Sequence, residues 1–318
     1  MTKYTNTGNK DTRSGFGEGL LAIGRECKDV VALAADLKGS VKMDGFAKEF
    51  PDRFFQCGIA EANMINVAAG LSLNGKIPFV GTFAAFAAGR VYDQVRMAVC
   101  YSETNVKIAA SHAGITLGED GATHQILEDI GLMRMLPGMS VVVPCDFNQT
   151  KNATIAAAKW NGPVYLRFGR PSVPNFTPEN EAFEIGKAYK LNDGKDVTIL
   201  ACGHLVWEAL LAAEELEKEG VSADVINVAT IKPLDYDTIL ESIKKTGCVV
   251  TAEEHFIFGG MGEMIAGLLA SHLPAPLEFV AIADKFGQSG TPSELMKAYG
   301  LDAAHIVEAA RRAVSRKR

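Results

Sequence analysis

The sequence contains no apolar run approaching the ~20 residues that a membrane-spanning helix needs. Its opening stretch, Met1 to Lys10, is polar and lacks the apolar centre of a secretory signal. The expectation is a cytoplasmic protein with no membrane role. Strong positive charge is also missing. The net charge is −6, and the short basic tail of Arg316, Lys317 and Arg318 leaves no footprint for nucleic acid. Small anionic ligands stay open, because local charge in a cleft matters more than the total. The six cysteines, Cys27, Cys57, Cys100, Cys145, Cys202 and Cys248, are too widely spaced for a C-x-x-C pair or a zinc site. Most lie in apolar strings and read as small buried hydrophobes. Neither glycine cluster, Gly15-x-Gly17-x-Gly19 or Gly259-Gly260-x-Gly262, completes G-x-G-x-x-G, and no P-loop string occurs. These glycines read instead as tight turns and close backbone contacts.

What is present is an ordinary globular composition. The 318 residues are 47% hydrophobic and 22% charged, enough for two domains. Short apolar runs alternate with longer amphipathic or Ala-rich stretches. In the first half the strand candidates are Val30–Ala35, Phe54–Cys57, Ile77–Gly81, Val106–Ala110, Ser140–Pro144 and Val164–Arg167. Between them lie the helix candidates Arg13–Cys27, Glu61–Leu73, Ala84–Tyr101, Gln125–Leu136 and Phe147–Lys159. Continuous apolar strands suit a parallel sheet covered on both faces. Gly169 to Glu181, with Pro171, Pro174 and Pro178, reads as a linker. Beyond it the alternation resumes, from Val197 to Val314. The expected fold class is α/β: two open, mostly parallel sheets with helices on both faces. The expected domains are 11–170 and 188–318, joined by a linker at 171–187.

Ligands of open α/β sheets gather beyond the carboxyl ends of the strands, and three segments place reactive side chains there. Glu61 falls in the first turn of a helix built from small and apolar residues. It is either a complement to the helix dipole or a buried general acid. Phe83 and Phe86, three apart at a helix start, share a face that suits either a stacked flat ligand or a core. The most specific segment is the loop from Ser111 to Gln125. Gly118 and Gly121 bracket Glu119-Asp120, and His112 and His124 stand near its two ends. Loops this polar are costly to bury, so Asp120, His124 and His112 together mark a recognition site. In the second domain Glu253-Glu254-His255 offers metal-ligand types but reads better as an exposed polar loop. No metal site is expected in this chain, and the second domain is expected to scaffold and to make dimer contacts.

These strings resemble a known family. Gly58-Ile-Ala-Glu61, Gly81-Thr-Phe83-x-x-Phe86 and Leu117-Gly-Glu-Asp-Gly-Ala-Thr-His124-Gln125 are similar to the pyrimidine-binding domain of transketolases. Lys285-Phe-Gly-Gln-Ser-Gly-Thr-Pro-Ser-Glu-Leu-Met resembles their last domain, and the likeness runs from about Asp11 to Val314. The resemblance implies thiamine diphosphate as cofactor and transfer of a two-carbon ketol unit from a ketose phosphate to an aldose phosphate. It implies that Glu61 holds a proton against the aminopyrimidine ring nitrogen, favouring the imino tautomer that deprotonates the thiazolium ring. Phe83 and Phe86 would stack on that pyrimidine ring, with Asp36 also on the cofactor side. Asp120 and His124 would bind sugar hydroxyls and assist proton transfers, completing a catalytic set with Glu61. Arg13, Ser40, His112 and Arg170 would take the substrate phosphate, with Arg167 a rival to Arg170. Planar arginine forks suit phosphate oxygens.

The chain departs from the family pattern in two places. Where many members carry a third aromatic, one turn after the second Phe, stands Gly89, with Tyr92 nearby as a substitute. The family's diphosphate- and magnesium-binding G-D-G, followed downstream by N, is nowhere in the sequence. The resemblance therefore implies a split enzyme, with this chain as the C-terminal subunit. A separate N-terminal transketolase subunit would supply the site for the diphosphate and for Mg²⁺ or another divalent cation, in an α2β2 heterotetramer. Two other readings stay open. One is a subunit of a related thiamine-diphosphate enzyme, deoxyxylulose-phosphate synthase or the β subunit of a 2-oxo-acid dehydrogenase; Tyr92-Asp-Gln resembles a string in the synthase. The other is a non-catalytic, regulatory relative. The loop from His112 to His124 favours transketolase.

Overall fold

The computed structural model describes residues 4–317, which build two α/β units around two larger sheets. The first sheet has seven strands. Edge to edge it runs through Thr230–Lys232, Ser140–Val142, Val164–Arg167, Lys107–Ser111, Ile77–Phe83, Val30–Ala34 and Phe54–Gln56. All neighbours are parallel except Thr230–Lys232, which pairs antiparallel with Ser140–Val142. Both faces are covered, so Val30–Ala34 is buried at every position and can be apolar throughout. The second sheet runs through Leu277–Ile282, Val249–Phe256, Val197–Ala201, Ala223–Asn227 and Tyr189–Asn192, with only the last antiparallel. The cores of the two units are continuous: Leu200, Ile226 and Val228 pack in one cluster with Val141 and Tyr165.

Helix Thr12–Glu26 begins where Asp11 accepts a hydrogen bond from the Ser14 amide at 2.9 Å. It lies so close to helix Phe147–Lys159 that a Cβ on Gly15 would stand 2.3 Å from the Phe147 carbonyl oxygen. One on Gly19 would stand 2.6 Å from that of Lys151, so both glycines serve backbone approach. Asp146 caps the second helix through the Gln149 amide and also accepts from the Phe176 and Thr177 amides, at 2.8 and 2.7 Å. The Pro-rich stretch after Arg170 is thus strapped to the first unit, and its Ser172–Pro174 segment pairs antiparallel with Asn9–Asp11.

Three elements differ from the sequence reading. Ala84–Tyr101 is not one α-helix. π-Helical turns at Ala85–Arg90 and Val95–Tyr101 flank a short α-turn at Tyr92–Gln94; such turns shift side-chain register and are frequent at functional sites. Gln125–Leu136 shrinks to a helix at Asp129–Arg134, because Gln125 turns its amide inward onto carbonyl groups. Thr230–Lys232, far along the chain, completes the first sheet rather than the second. All six cysteines are free, and Cys27 and Cys57 are half-buried while the other four are buried. Among the described residues, no helix is long and apolar enough to cross a membrane.

Candidate active site

Beyond strand Phe54–Gln56 the chain turns at Gly58 (φ 67°) into helix Glu61–Leu73. Glu61 is the first residue of that helix and only 4% exposed. Its two carboxylate oxygens accept hydrogen bonds from Arg90 Nη1 at 3.0 and 3.1 Å. The Arg90 guanidinium also lies over the Phe86 ring, 4.0 Å from its centre. Phe86 stacks on Phe83 with ring centres 5.7 Å apart, and Phe83 stacks on His112 at 3.8 Å. His124 meets Phe86 edge-on at 5.8 Å. A row of flat groups therefore runs His112, Phe83, Phe86, Arg90, with Glu61 at its far end and His124 alongside. Phe83 and His112 come from neighbouring parallel strands, where Ile77–Phe83 ends and just past Lys107–Ser111. This is the carboxyl edge of the sheet, where open α/β folds bind ligands.

His112 is buried, with a left-handed backbone (φ 59°) and its Nδ1 2.7 Å from Ser111 Oγ. Burial, reinforced by the charges of Arg13 and Arg170, pushes its pKa down to about 3. The ring is neutral in the ordinary working range. The same two arginines form a cationic corner. Arg13 Nη1 donates to the Ser40 carbonyl at 3.2 Å, and Arg170 Nη1 donates to the Leu117 carbonyl at 2.7 Å and to Glu119 at 2.8 Å. Burial lowers the Arg13 pKa; Asp11 opposes that shift and Arg170 adds to it. Arg167 takes no part in this corner. Its Nε and Nη2 donate to Asp129 at 2.8 and 3.1 Å, and Nη2 also donates to the Glu254 carbonyl at 2.9 Å. That fork is spent inside the protein. Burial disfavours its charge, but Asp129, Glu254 and Tyr165 together outweigh burial and the guanidinium pKa goes up.

Glu61, Phe83, Phe86, His112 and His124 thus fall into one chain of contacts, with Arg13 and Arg170 close enough to act on the charge of His112 and the Ser40 carbonyl bonded to Arg13. Asp36 and Asp120 stand apart from that chain, both exposed. Asp36 has positive φ (59°), and its amide donates to Gln56 Oε1 at 2.8 Å. Tyr92 packs on the core, and its hydroxyl donates to the Leu132 carbonyl at 3.2 Å. Arg90 escaped the sequence reading. Its only signal was the four-residue spacing from Phe86, which puts both on one helix face, because Glu61 lies in a different element.

The second unit braces the polar loop. Gln125 Nε2 donates to the carbonyls of Ile115 (2.9 Å), Gly118 (3.3 Å) and Gln288 (2.9 Å), tying the polar loop to the second unit. Gly121 (φ 74°) packs so tightly there that a Cβ would stand 2.6 Å from Ser289 Oγ. The string around Gln288 and Ser289 is one that carried the family likeness, but its role as a brace was not visible in sequence. Glu253-Glu254-His255 is not an exposed loop. It lies within strand Val249–Phe256 and is buried. Glu253 accepts from the Met261 and Gly262 amides, both at 2.7 Å, at the start of helix Met261–His272. Glu254 accepts from the Thr116 amide at 2.6 Å, and His255 Nε2 accepts from the Gly131 amide at 3.2 Å. These polar groups are tolerated in the interior because they are hydrogen-bonded. Among the described residues, no three His, Cys, Asp or Glu side chains are grouped to hold a metal ion.

Residues 9–175 match the family model for the transketolase pyrimidine binding domain, and residues 186–306 match that for the transketolase C-terminal domain. The chain belongs to the transketolase family. A Methanocaldococcus jannaschii protein that carries the name of a transketolase C-terminal section is 48% identical, over 94% of this chain and 95% of its own length. The 6-deoxy-6-sulfo-D-fructose transketolase subunit SqwH of a Clostridium species is 45% identical, over 94% of this chain and 92% of its own. A solved structure described as a split gene transketolase, inactive beta4 tetramer, superposes with a TM-score of 0.91 at 47% identity. That match covers 97% of this chain and 99% of the solved one. Transketolases being thiamine-diphosphate enzymes, the relevant geometry is the gap between Glu61 and Phe86. A buried carboxylate and an aromatic face, both touched there by one planar nitrogen donor, are group types that an aminopyrimidine ring would use.

Proposed function

We propose that this chain is the C-terminal subunit of a two-chain transketolase, moving a two-carbon ketol unit between sugar phosphates. The observation that carries the reading is the buried Glu61 carboxylate at a helix start, facing the same planar nitrogen group that covers Phe86. When bound, thiamine diphosphate supplies the carbon nucleophile on which the ketol unit is carried. Phe86 holds the pyrimidine ring by its face, with Phe83 and neutral His112 stacked behind it to fix the angle. Glu61 holds a proton at the pyrimidine nitrogen, a role that rests on its position at the helix start beside Phe86. His124, beside Phe86, and Asp120, on the exposed tip of the loop, hold substrate hydroxyls and pass protons. Arg13, Ser40, His112 and Arg170 receive the phosphate, and Asp36 lies on the cofactor side. Arg167 is set aside because its donors are already committed.

The diphosphate and its divalent cation belong, on this reading, to an N-terminal subunit in a shared α2β2 assembly. Support comes from relatives that are themselves C-terminal sections or subunits matched over nearly their whole length. The name of the sulfofructose relative indicates that substrates vary among such subunits, so the preferred sugar is left to assay. The test mixes the purified chain with its N-terminal partner, thiamine diphosphate and Mg²⁺. Ketol transfer between sugar phosphates is expected from the pair and not from either chain alone. Pyruvate decarboxylation by the pair, without ketol transfer, would assign it to another thiamine enzyme.

A further inference from the structure

Arg90 stands in the space that the proposed function reserves for the cofactor. Its flat guanidinium lies 4.0 Å over Phe86 and donates to both oxygens of Glu61. A pyrimidine ring stacked on Phe86 beside Glu61 needs the ring face that the guanidinium covers, and two flat groups cannot lie on one face. We propose that Arg90 is a placeholder for the pyrimidine ring. It holds Glu61 and Phe86 in their working arrangement while the cofactor is away, and it swings out when the cofactor seats. The inference rests on reading Glu61 and Phe86 as the pyrimidine site.

Access decides which partner moves. The Arg90 side chain is 51% exposed and that of Glu61 only 4%, so the arginine can leave into water while the glutamate stays. Arg90 also closes the π-helical turn Ala85–Arg90, and the next residue, Val91, breaks from helical angles (φ −116°, ψ 20°). Its neighbourhood is open, since a Cβ added to Gly89 would meet only Ile126 Cδ1, at 3.8 Å. A buried carboxylate without a partner is costly, which is why a cation stands there at all. Guanidinium suits the post better than ammonium, because one delocalised plane both stacks on an aromatic face and donates hydrogen bonds sideways. A site occupied by its own side chain binds ligand with an affinity reduced by the fraction of time it is open. Arg90 therefore tunes the threshold at which the cofactor loads, and it guards Glu61 in the unloaded protein.

The test is calorimetric titration of thiamine diphosphate, with Mg²⁺ present, into the assembled two-subunit enzyme. Wild type is compared with Arg90→Leu, Arg90→Lys and Glu61→Ala, each first shown by thermal melting to be folded. Arg90→Leu is expected to bind the cofactor about tenfold more tightly, a change set by the open fraction it restores. Arg90→Lys, which keeps the charge but loses the plane, is expected to fall between that variant and wild type. The advantage of Arg90→Leu over wild type should shrink in high salt, which weakens the exposed side of the ion pair. Equal or weaker binding by Arg90→Leu, with Glu61→Ala weakened, overturns the placeholder and leaves the site reading intact. Wild-type affinity in Glu61→Ala overturns the site reading, and the placeholder with it.

Discussion

Two arginine–carboxylate pairs in the first unit use the same chemical groups to opposite ends. Arg167 and Asp129 are sealed in the interior, their side chains 5% and 0% exposed. Asp129 takes two bonds from Arg167 and a third from the Tyr165 hydroxyl at 2.8 Å, while Arg167 reaches on to a carbonyl of the second unit. The other pair, Arg90 and Glu61, has one partner buried and one half in water. The first pair locks the seam between the two units. The second leaves a carboxylate positioned and its cation replaceable. A pair with one partner open to water can exchange that partner for a ligand; a pair sealed on both sides cannot.

Breaking each pair should show this difference. Arg167→Met leaves Asp129 buried with two of its three hydrogen bonds gone, so it is expected to cost about 3–5 kcal/mol of stability. Denaturant unfolding measures it, and a loss near zero would mean the seam does not depend on that pair. Acid acts on the same unit through His112. Its folded pKa of about 3 lies below the ordinary value of 6.5, so between those pH values the unfolded chain binds a proton that the folded chain refuses. The stability is full above about pH 6.5 and falls by about 1.4 kcal/mol per unit as pH drops towards 3. His112→Gln should flatten that part of the profile; an unchanged slope would assign it to other groups. The smallest effect belongs to Arg90→Leu. Its half-exposed cation is screened by solvent, but the change leaves Glu61 buried without that partner, so the expected stability loss is about 1–3 kcal/mol. A loss as large as that of Arg167→Met would make both pairs structural and erase the contrast.

Periodicity carried the sequence reading through most of the fold. Strand Val164–Arg167 and helices Glu61–Leu73 and Phe147–Lys159 lie where apolar patterning put them, because burial on known faces leaves a periodic trace. The failures share a cause. Thr230–Lys232 pairs with a strand nearly ninety residues earlier, and nothing local in so short a segment announces a distant edge. Glu253, Glu254 and His255 look like surface residues, since their partners are amides in other parts of the chain. The π-turns from Ala85 onward also left no compositional mark. In the candidate site, residue types and local strings singled out Glu61, the two phenylalanines and the histidine loop as candidates. What they could not supply was mutual geometry: His112 stacked on Phe83, Arg167 turned inward, Arg90 seated on Glu61. These contacts join elements that are separate in sequence, and only folding brings them together.

The role of Glu61 stands at the centre of the account, and turnover of the assembled enzyme tests it most directly. Glu61→Ala should assemble with the N-terminal subunit and melt close to wild type, yet lose ketol transfer by about 10²- to 10⁴-fold, the range for removal of a positioned acid–base group. Wild-type turnover by that variant, in an intact assembly, would contradict the assignment of the active site to the helix start at Glu61.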